Sequence, residues 1–206
     1  PQWILPSLGE ETVLAGSVFP EEVEAALASN PRLKAVYLTS PTYFGAVSDI
    51  AALSRICQSF GVPLLVDNAH GAHLAFLRQN LHPMALGADL CCDSLHKILP
   101  VLTGGAMLHV GNKVYASRAR KKMALFGSTS PSYPVMLSID AALDYLEDGF
   151  GEDGAKVTQQ VEYMASIAGE QGCLLPEFPL RDPWRLTLSA SPLGLDGAGL
   201  AAHLRG

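Results

Sequence analysis

The sequence of 206 residues predicts an α/β fold, a mainly parallel sheet with helices on both faces. In its first half, short apolar segments alternate with helical segments, and these apolar segments are almost continuously hydrophobic, as is typical of parallel strands buried on both sides. Polar residues, namely Ser40, Asp67 and Ser94, follow three of these segments. In parallel sheets ligands usually bind at that edge, beyond the carboxyl ends of the strands.

The predicted elements begin with a strand at 35–39, which turn residues close. Ser48 or Asp49 can cap the helix that follows, and Gly61 ends it. The remaining elements of this half are strands at 62–66, 88–93 and 106–110 and helical segments near 74–79 and 83–86.

The second half of the chain is predicted to be mainly helical, with helices at 112–126, 131–147 and about 154–172. Its basic cluster is interpreted as a solvated helix face and consists of Arg118, Arg120, Lys121 and Lys122. A proline-containing linker precedes an alternating segment at 184–190, predicted to be a strand, and a helical pattern at 195–204. We therefore predict a major domain at 1–175 and the start of a small α+β domain at 176–206.

Composition and charge exclude several classes of function. The net charge of −6 argues against nucleic acid as a partner. No run of 18 apolar residues and no signal peptide pattern occur, so a membrane span is not expected and a cytoplasmic location is predicted. The four cysteines lack a metal-binding spacing and are expected to be reduced.

Two motifs carry the predicted chemistry, Asp67-Asn68-Ala69-His70 and Ser94-Leu95-His96-Lys97. An acid that ends one strand, followed 30 residues later by a lysine just beyond another, suits a pyridoxal 5′-phosphate enzyme. Lys97 would bind the cofactor covalently, and Asp67 would keep its ring nitrogen protonated. Ser94 and His96 are spaced to reach the cofactor phosphate, and the small Ala69 leaves room for a flat ring.

Each of these assignments has an alternative. His70 and His73, three residues apart, could bind a metal with Asp67 as in a hydrolase, but this leaves the lysine motif unexplained. His96 could equally be a structural hydrogen-bonding group. The segment at 128–130 could simply cap a helix that begins near Pro131.

Several segments between Ala35 and about Asp140 resemble the major domain of the bacterial Orn/Lys/Arg decarboxylases, which are fold-type I pyridoxal-phosphate enzymes. They read TSPTYFG, VDNAHGAH, ALGAD, SLHKILPVLTGGAMLHV and GSTSPSY. The resemblance implies that Lys97 carries the cofactor, that Asp67 binds its ring nitrogen and that His70 lies beside the reacting centre. It further implies the cofactor contacts Ala69, Ser94 and His96, and a phosphate contact across a dimer interface from Ser128 or Thr129.

The resemblance implies decarboxylation of arginine, lysine or ornithine to the amine and carbon dioxide, as in polyamine biosynthesis, by a homodimer or larger oligomer with shared active sites. A fold-type I aminotransferase is an alternative, because the motif residues alone do not distinguish the two reactions. Residues 1–30 show no phosphate-binding loop, and the small domain stops early. The chain is therefore expected to be the middle of a larger enzyme, and a catalytically inactive fragment or paired subunit is a further alternative.

Overall fold

The computed structural model describes residues 1–6 and 16–205. Residues 7–15, part of the stretch without a predicted phosphate loop, and Gly206 lie outside the described residues. The described chain forms a four-stranded sheet with the strands in sequence order. β1, β2 and β3 are parallel, whereas β4 is antiparallel to β3, which confirms the predicted mainly parallel sheet. The strands are β1 (Val36–Thr39), β2 (Leu64–Asp67), β3 (Leu90–Asp93) and β4 (Met107–Val110).

Helices precede, separate and follow the strands. They are α1 (Pro20–Ser29), α2 (Ile50–Ser59), α3 (Ala116–Phe126), α4 (Tyr133–Asp148), α5 (Phe150–Glu170) and α6 (Gly197–His203). α2 begins where predicted, because the Asp49 side chain accepts a hydrogen bond from the backbone N–H of Ala52 at 2.9 Å. No helix in the described ranges is long and apolar enough to cross a membrane.

Three predicted elements differ from the structure. The segments at 74–79 and 83–86 are not helices: the first holds only a short 3₁₀ turn, Ala72–Ala75, and turns follow. Segments this short, one of them starting at a proline, cannot offset the cost of helix nucleation. The segment at 184–190 is not a strand either, because within the described residues only Ser189 pairs, in a single bridge to Leu174. An alternating pattern forms a strand only where a neighbouring strand accepts its hydrogen bonds.

The main core lies between one face of the sheet and two helices. Leu38, Val66 and Cys91 are aligned across β1, β2 and β3, so their side chains share this face, and all three are buried. α1 and α2 cover it with Val23, Leu27, Ile50, Leu53 and Cys57. A second cluster joins Leu95 and Leu99 to Phe150 of α5, next to the lysine motif.

The opposite face of the sheet carries the neighbouring row of side chains: Thr39, Asp67 and Cys92, also aligned across the three strands. Thr39 and Cys92 are exposed and Asp67 is half-buried. α3 borders shallow grooves on this face near Leu90, Leu108 and Val110. The carboxyl end of this face is therefore open to a ligand.

Candidate active site

The parallel strands bring the predicted polar residues to one edge of the sheet. Asp67 ends β2, the middle one of the three parallel strands, between Ser40, which follows β1, and Ser94, which follows β3. The backbone N–H of Ser40 donates to the Asp67 carbonyl at 3.0 Å, so hydrogen bonding of the sheet continues past the end of β1. This edge is where the structure gathers the sequence-predicted site.

The Asp67 carboxylate keeps hydrogen-bonding capacity for a ligand. Oδ1 accepts from the backbone N–H of Ala69 at 3.1 Å, and Oδ2 accepts from the Tyr37 hydroxyl at 3.2 Å. Burial, together with the negative charge of Asp67, raises the pKa of Tyr37, so the tyrosine stays a donor. Since each carboxylate oxygen can accept two hydrogen bonds, Asp67 can also bind a protonated ring nitrogen.

Lys97 lies at the end of a 3₁₀ turn, Leu95–Lys97, directly after β3. Its backbone N–H donates to the Ser94 carbonyl at 3.1 Å, and its exposed amine has no hydrogen bond or ion pair to any residue that the structure describes. The turn is held by His96, whose Nδ1–H donates to the Gly105 carbonyl at 2.8 Å. The structural alternative for His96 is thus observed, and its phosphate contact stays a prediction.

His70 lies beside two cationic side chains. Its Nδ1 is 3.4 Å from Nη2 of Arg185, and its ring meets Tyr43 edge to face, with 5.6 Å between the ring centroids. Burial lowers the pKa of His70, and the positive charges of Lys97 and Arg185 lower it further. The imidazole is therefore neutral at neutral pH and accepts the Arg185 N–H.

Arg185 is a site residue that the sequence analysis missed. Its guanidinium lies over the Tyr43 ring, 5.8 Å from the centroid, and its buried Nε has no hydrogen-bond partner among the described residues. Gly45, at φ 94°, allows this approach, because a Cβ there would lie 2.7 Å from the Cβ of Arg185. No local signal identifies Arg185 as a site residue, since its site contacts, His70 and Tyr43, lie 115 residues or more away along the chain.

The alternative metal site is not assembled. His73 is fully buried, and its Nε2 is 2.8 Å from Oδ1 of Asp182, while its ring stacks on Trp184. His70 faces Arg185 instead, and Asp67 faces Tyr37. Across residues 1–6 and 16–205, the group of side chains close enough to share a cation is a different one, His82, Asp93 and His109.

Ser128 and Thr129 lie in an exposed segment between α3 and α4, where Ser128 Oγ accepts the Ser130 N–H at 3.0 Å. The predicted helix cap is wrong: α4 begins at Tyr133 after Ser132, and its first-turn proline is Pro134. The structure gives Ser128 and Thr129 no contact with Asp67 or Lys97 in the part of the chain it describes. Their role across an interface stays a prediction.

Comparison with known proteins identifies the family. The model of the Orn/Lys/Arg decarboxylase major domain matches residues 7–169. The chain belongs to this family. It is 29% identical to arginine decarboxylase of Bacillus subtilis and 32% identical to that of Halalkalibacterium halodurans; each match covers all of this chain and 44% of the relative. The chain therefore spans less than half the length of these relatives.

Solved structures show the same fold. Pyridoxamine-pyruvate aminotransferase of Mesorhizobium loti matches 82% of the chain, and 47% of its own, with a TM-score of 0.67 at 19% identity. Alanine–glyoxylate aminotransferase of Nostoc sp. matches 81% of the chain, and 48% of its own, with a TM-score of 0.61 at 20% identity. These fold-type I enzymes confirm the predicted fold class.

Pyridoxal phosphate is supported as the cofactor by the family and by a 27% identical relative from Methanothermobacter thermautotrophicus, described as a pyridoxal phosphate-dependent protein. The match to that relative covers 81% of this chain and 44% of the relative. The residues present fit the group. Asp67 can accept a ring N–H, Lys97 offers an amine without a partner among residues 1–6 and 16–205, and the half-buried Ala69 adds little bulk beside the open sheet face.

Proposed function

We propose that this chain carries the cofactor-binding core of a decarboxylase that acts on a basic amino acid and releases carbon dioxide and an amine. One observation carries the proposal: Asp67 and Lys97 follow adjacent parallel strands, and the lysine amine has no partner among the described residues. Pyridoxal phosphate, when bound, supplies the electron sink for the pair of electrons left as the substrate carboxylate departs.

Asp67 then acts on the ring nitrogen, where its negative charge keeps a proton in place. Lys97 holds the cofactor and, at the same amine, takes up or releases a proton as substrate arrives and product leaves. The neutral His70 is proposed to lie beside the reacting centre, where it adds no positive charge to those of Lys97 and Arg185. Ser94 and His96 are proposed to face the cofactor phosphate.

Arg185 is proposed to orient the substrate carboxylate. Its buried Nε has no hydrogen-bond partner in the described chain and lies 3.9 Å from Oδ2 of Asp182, while its Nη2 is 3.4 Å from Nδ1 of His70. A substrate carboxylate would bind the terminal Nη1 and Nη2 groups, because a guanidinium binds a carboxylate through paired N–H groups. Holding the carboxylate in one direction relative to the ring selects which bond to the α-carbon breaks.

Arginine is favoured over lysine and ornithine as the substrate, because the relatives that match the whole chain are described as arginine decarboxylases.

The proposal includes a cytoplasmic enzyme of polyamine biosynthesis that works as a homodimer or larger oligomer. Exposed apolar side chains flank Ser128 and Thr129, namely Phe126, Tyr133 and Leu137. A second subunit covering them would bring these hydroxyls to its own site.

The test is the absorbance of the purified protein after pyridoxal phosphate is added. We expect a visible band from lysine-bound cofactor. Lys97→Ala should abolish this band, and Lys113→Ala, at another exposed lysine, should retain it.

Arginine, lysine and ornithine are then supplied in turn, and carbon dioxide and amine are measured. Formation of a keto acid without carbon dioxide would instead support an aminotransferase. The two solved structures that share the fold are described as aminotransferases. A wild-type protein without the band would contradict cofactor binding by this chain alone and favour a paired subunit.

A further inference from the structure

A buried cluster of polar side chains surrounds Asp93, the last residue of β3. Its Oδ2 lies 3.0 Å from Nε2 of His82 and 2.8 Å from Nε2 of His109, and its Oδ1 accepts from Nδ2 of Asn68 at 2.7 Å. Asp93 is 3% exposed and Asn68 is fully buried. One carboxylate therefore receives hydrogen bonds from the residue that follows β2, from the turn at residues 82–86 and from β4, and its Oδ1 also lies 3.5 Å from the Cys91 thiol of β3.

The hydrogen-bond partners of His82 and His109 determine which ring nitrogen of each histidine carries a proton. Nδ1 of His82 accepts a hydrogen bond from the Met84 backbone N–H at 3.2 Å, so the proton of this imidazole lies on Nε2 and points at Asp93. His109 must also donate through Nε2, because a carboxylate oxygen only accepts. With an N–H on both Nε2 atoms, the three side chains form a hydrogen-bonded anchor; their ligand atoms lie within 4.8 Å of one another, and a cation bound there would have to displace both protons.

The Asp93 side chain is held in its ionised, carboxylate form. Burial alone would raise the pKa of this carboxyl group, but the hydrogen bonds from His109, His82 and Asn68 outweigh burial and lower its pKa below the ordinary range. Asp93 is therefore an anion at neutral pH, and charge-assisted hydrogen bonds of this kind are stronger than neutral ones.

The anchor lies between the two parts of the proposed site. Asn68 directly follows Asp67, and Asp93 directly precedes Ser94, which opens the turn that ends at Lys97. The backbone N–H of Asn68 also donates to the Cys92 carbonyl at 2.9 Å. The Asn68–Asp93 hydrogen bond thus connects the strand end that carries the acid to the strand end that carries the lysine.

We propose that Asp93 is a positioning residue, which through Asn68, His82 and His109 sets the placement of Asp67 relative to the turn that carries Lys97. This inference rests on the proposed function for the roles of Asp67 and Lys97. Asp93 touches neither substrate nor cofactor; it acts by holding the two strand ends in register.

The test compares Asp93→Asn with Asp89→Asn. Asp89 lies just before the opposite end of β3, and its carboxylate likewise accepts a backbone N–H, from Leu64 at 2.9 Å, and an amide N–H, from Asn112 at 2.8 Å. In the protein without cofactor, we expect the backbone amides of His96 and Lys97 to exchange hydrogen faster in Asp93→Asn and at the wild-type rate in Asp89→Asn.

The second readout uses the cofactor. After addition of pyridoxal phosphate and reduction with borohydride, the fraction of Lys97 that carries cofactor is measured by peptide mass. We expect about 10-fold weaker cofactor binding in Asp93→Asn, together with a shifted pH midpoint of the absorbance band, since small misplacements at a site can cost this much or more. Asp89→Asn should show neither effect.

The outcomes separate the two proposals. Equal exchange rates and equal cofactor binding in the two variants would overturn the role of Asp93 and leave the proposed function intact. Faster exchange only in Asp93→Asn, in a protein whose wild type never carries cofactor on Lys97, would support the anchor and contradict the function. If Asp93→Asn does not fold, His109→Gln, which changes a partly exposed member of the cluster, replaces it. One zinc ion per chain, lost in His109→Gln, would overturn the anchor in favour of a metal site.

Discussion

His70 illustrates how neighbours set the chemistry of a single residue. Its imidazole lies between Tyr43 and the Arg185 guanidinium, and both cations that lower its pKa belong to the proposed site. In the proposed site, a neutral imidazole would add no positive charge beside the ring nitrogen of the cofactor. Asp67, at the end of β2, would be the anionic partner of that nitrogen in the proposed site.

The titration of His70 can be measured directly by NMR. We expect its midpoint below the ordinary value of about 6.5, because burial, Lys97 and Arg185 all disfavour the proton. Arg185→Gln removes one positive neighbour and should raise the midpoint. Arg55→Gln, at an exposed position of α2, should leave it unchanged.

The lowered pKa of His70 also determines how this residue makes the stability of the folded protein depend on pH. A histidine whose pKa is lowered by folding contributes its full stability above the unfolded pKa, about 6.5, and loses it as the pH falls toward the folded value. A His70 midpoint at or above 6.5 would contradict the cationic surroundings that we assign to the site.

Among the elements, α2 supports the site from the rear of the sheet. Its apolar residues Ile50, Leu53 and Cys57 are fully buried against β1 and β2, the strand that ends at Asp67. The helix starts at a side-chain cap, Asp49, and ends before Gly61, whose φ of 66° is the left-handed conformation common after helices. Both signals are local, which explains why the sequence predicts this helix correctly.

Removal of the α2 cap should destabilise the protein without changing the site. Asp49→Ala leaves the backbone N–H of Ala52 without its side-chain acceptor, and we expect a loss of about 1 kcal/mol in the free energy of unfolding. Asp49→Asn keeps an acceptor and should cost less than half as much. Urea unfolding midpoints measure both, and equal losses would show that the cap hydrogen bond does not stabilise α2.

At the scale of the whole molecule, apolar side chains remain exposed on α3 and α4. Phe126 is 83% exposed and Leu137 is 68% exposed, on either side of the segment that holds Ser128 and Thr129. Apolar surface of this kind commonly marks a contact between subunits. The proposal of a shared active site depends on a second copy binding here.

Sedimentation of the purified chain tests this contact. We expect a dimer that Leu137→Asp dissociates, because a buried carboxylate at an interface carries a desolvation penalty. Tyr163→Asp, at a similarly exposed position on α5, should leave the dimer intact. Cofactor binding should weaken with dissociation if Ser128 or Thr129 contacts the phosphate of the neighbouring site. A wild-type chain that sediments as a monomer would contradict the shared site.

Local patterns were sufficient for the strands, for α2 and for the acid and lysine motifs. Strand periodicity and helix caps act over a few residues, so they can be recognised without knowledge of the fold. Because consecutive parallel strands were adjacent in the sheet, Ser40, Asp67 and Ser94 also came to one edge as predicted. The family resemblance rested on the same short motifs.

Packing between distant segments decided the remaining features. His73 pairs with Asp182 across 109 residues, and Arg185 reaches His70 across 115, so neither partnership leaves a local trace. The partnership of Asp93 with His109 is likewise invisible in the local sequence, because it arises from the pairing of β3 with β4. Segment 184–190 had a strand pattern but no neighbouring strand within the described chain, and it contributes Arg185 to the site instead. Side-chain partners depend on which segments the fold brings together, whereas the motifs that start the fold are local.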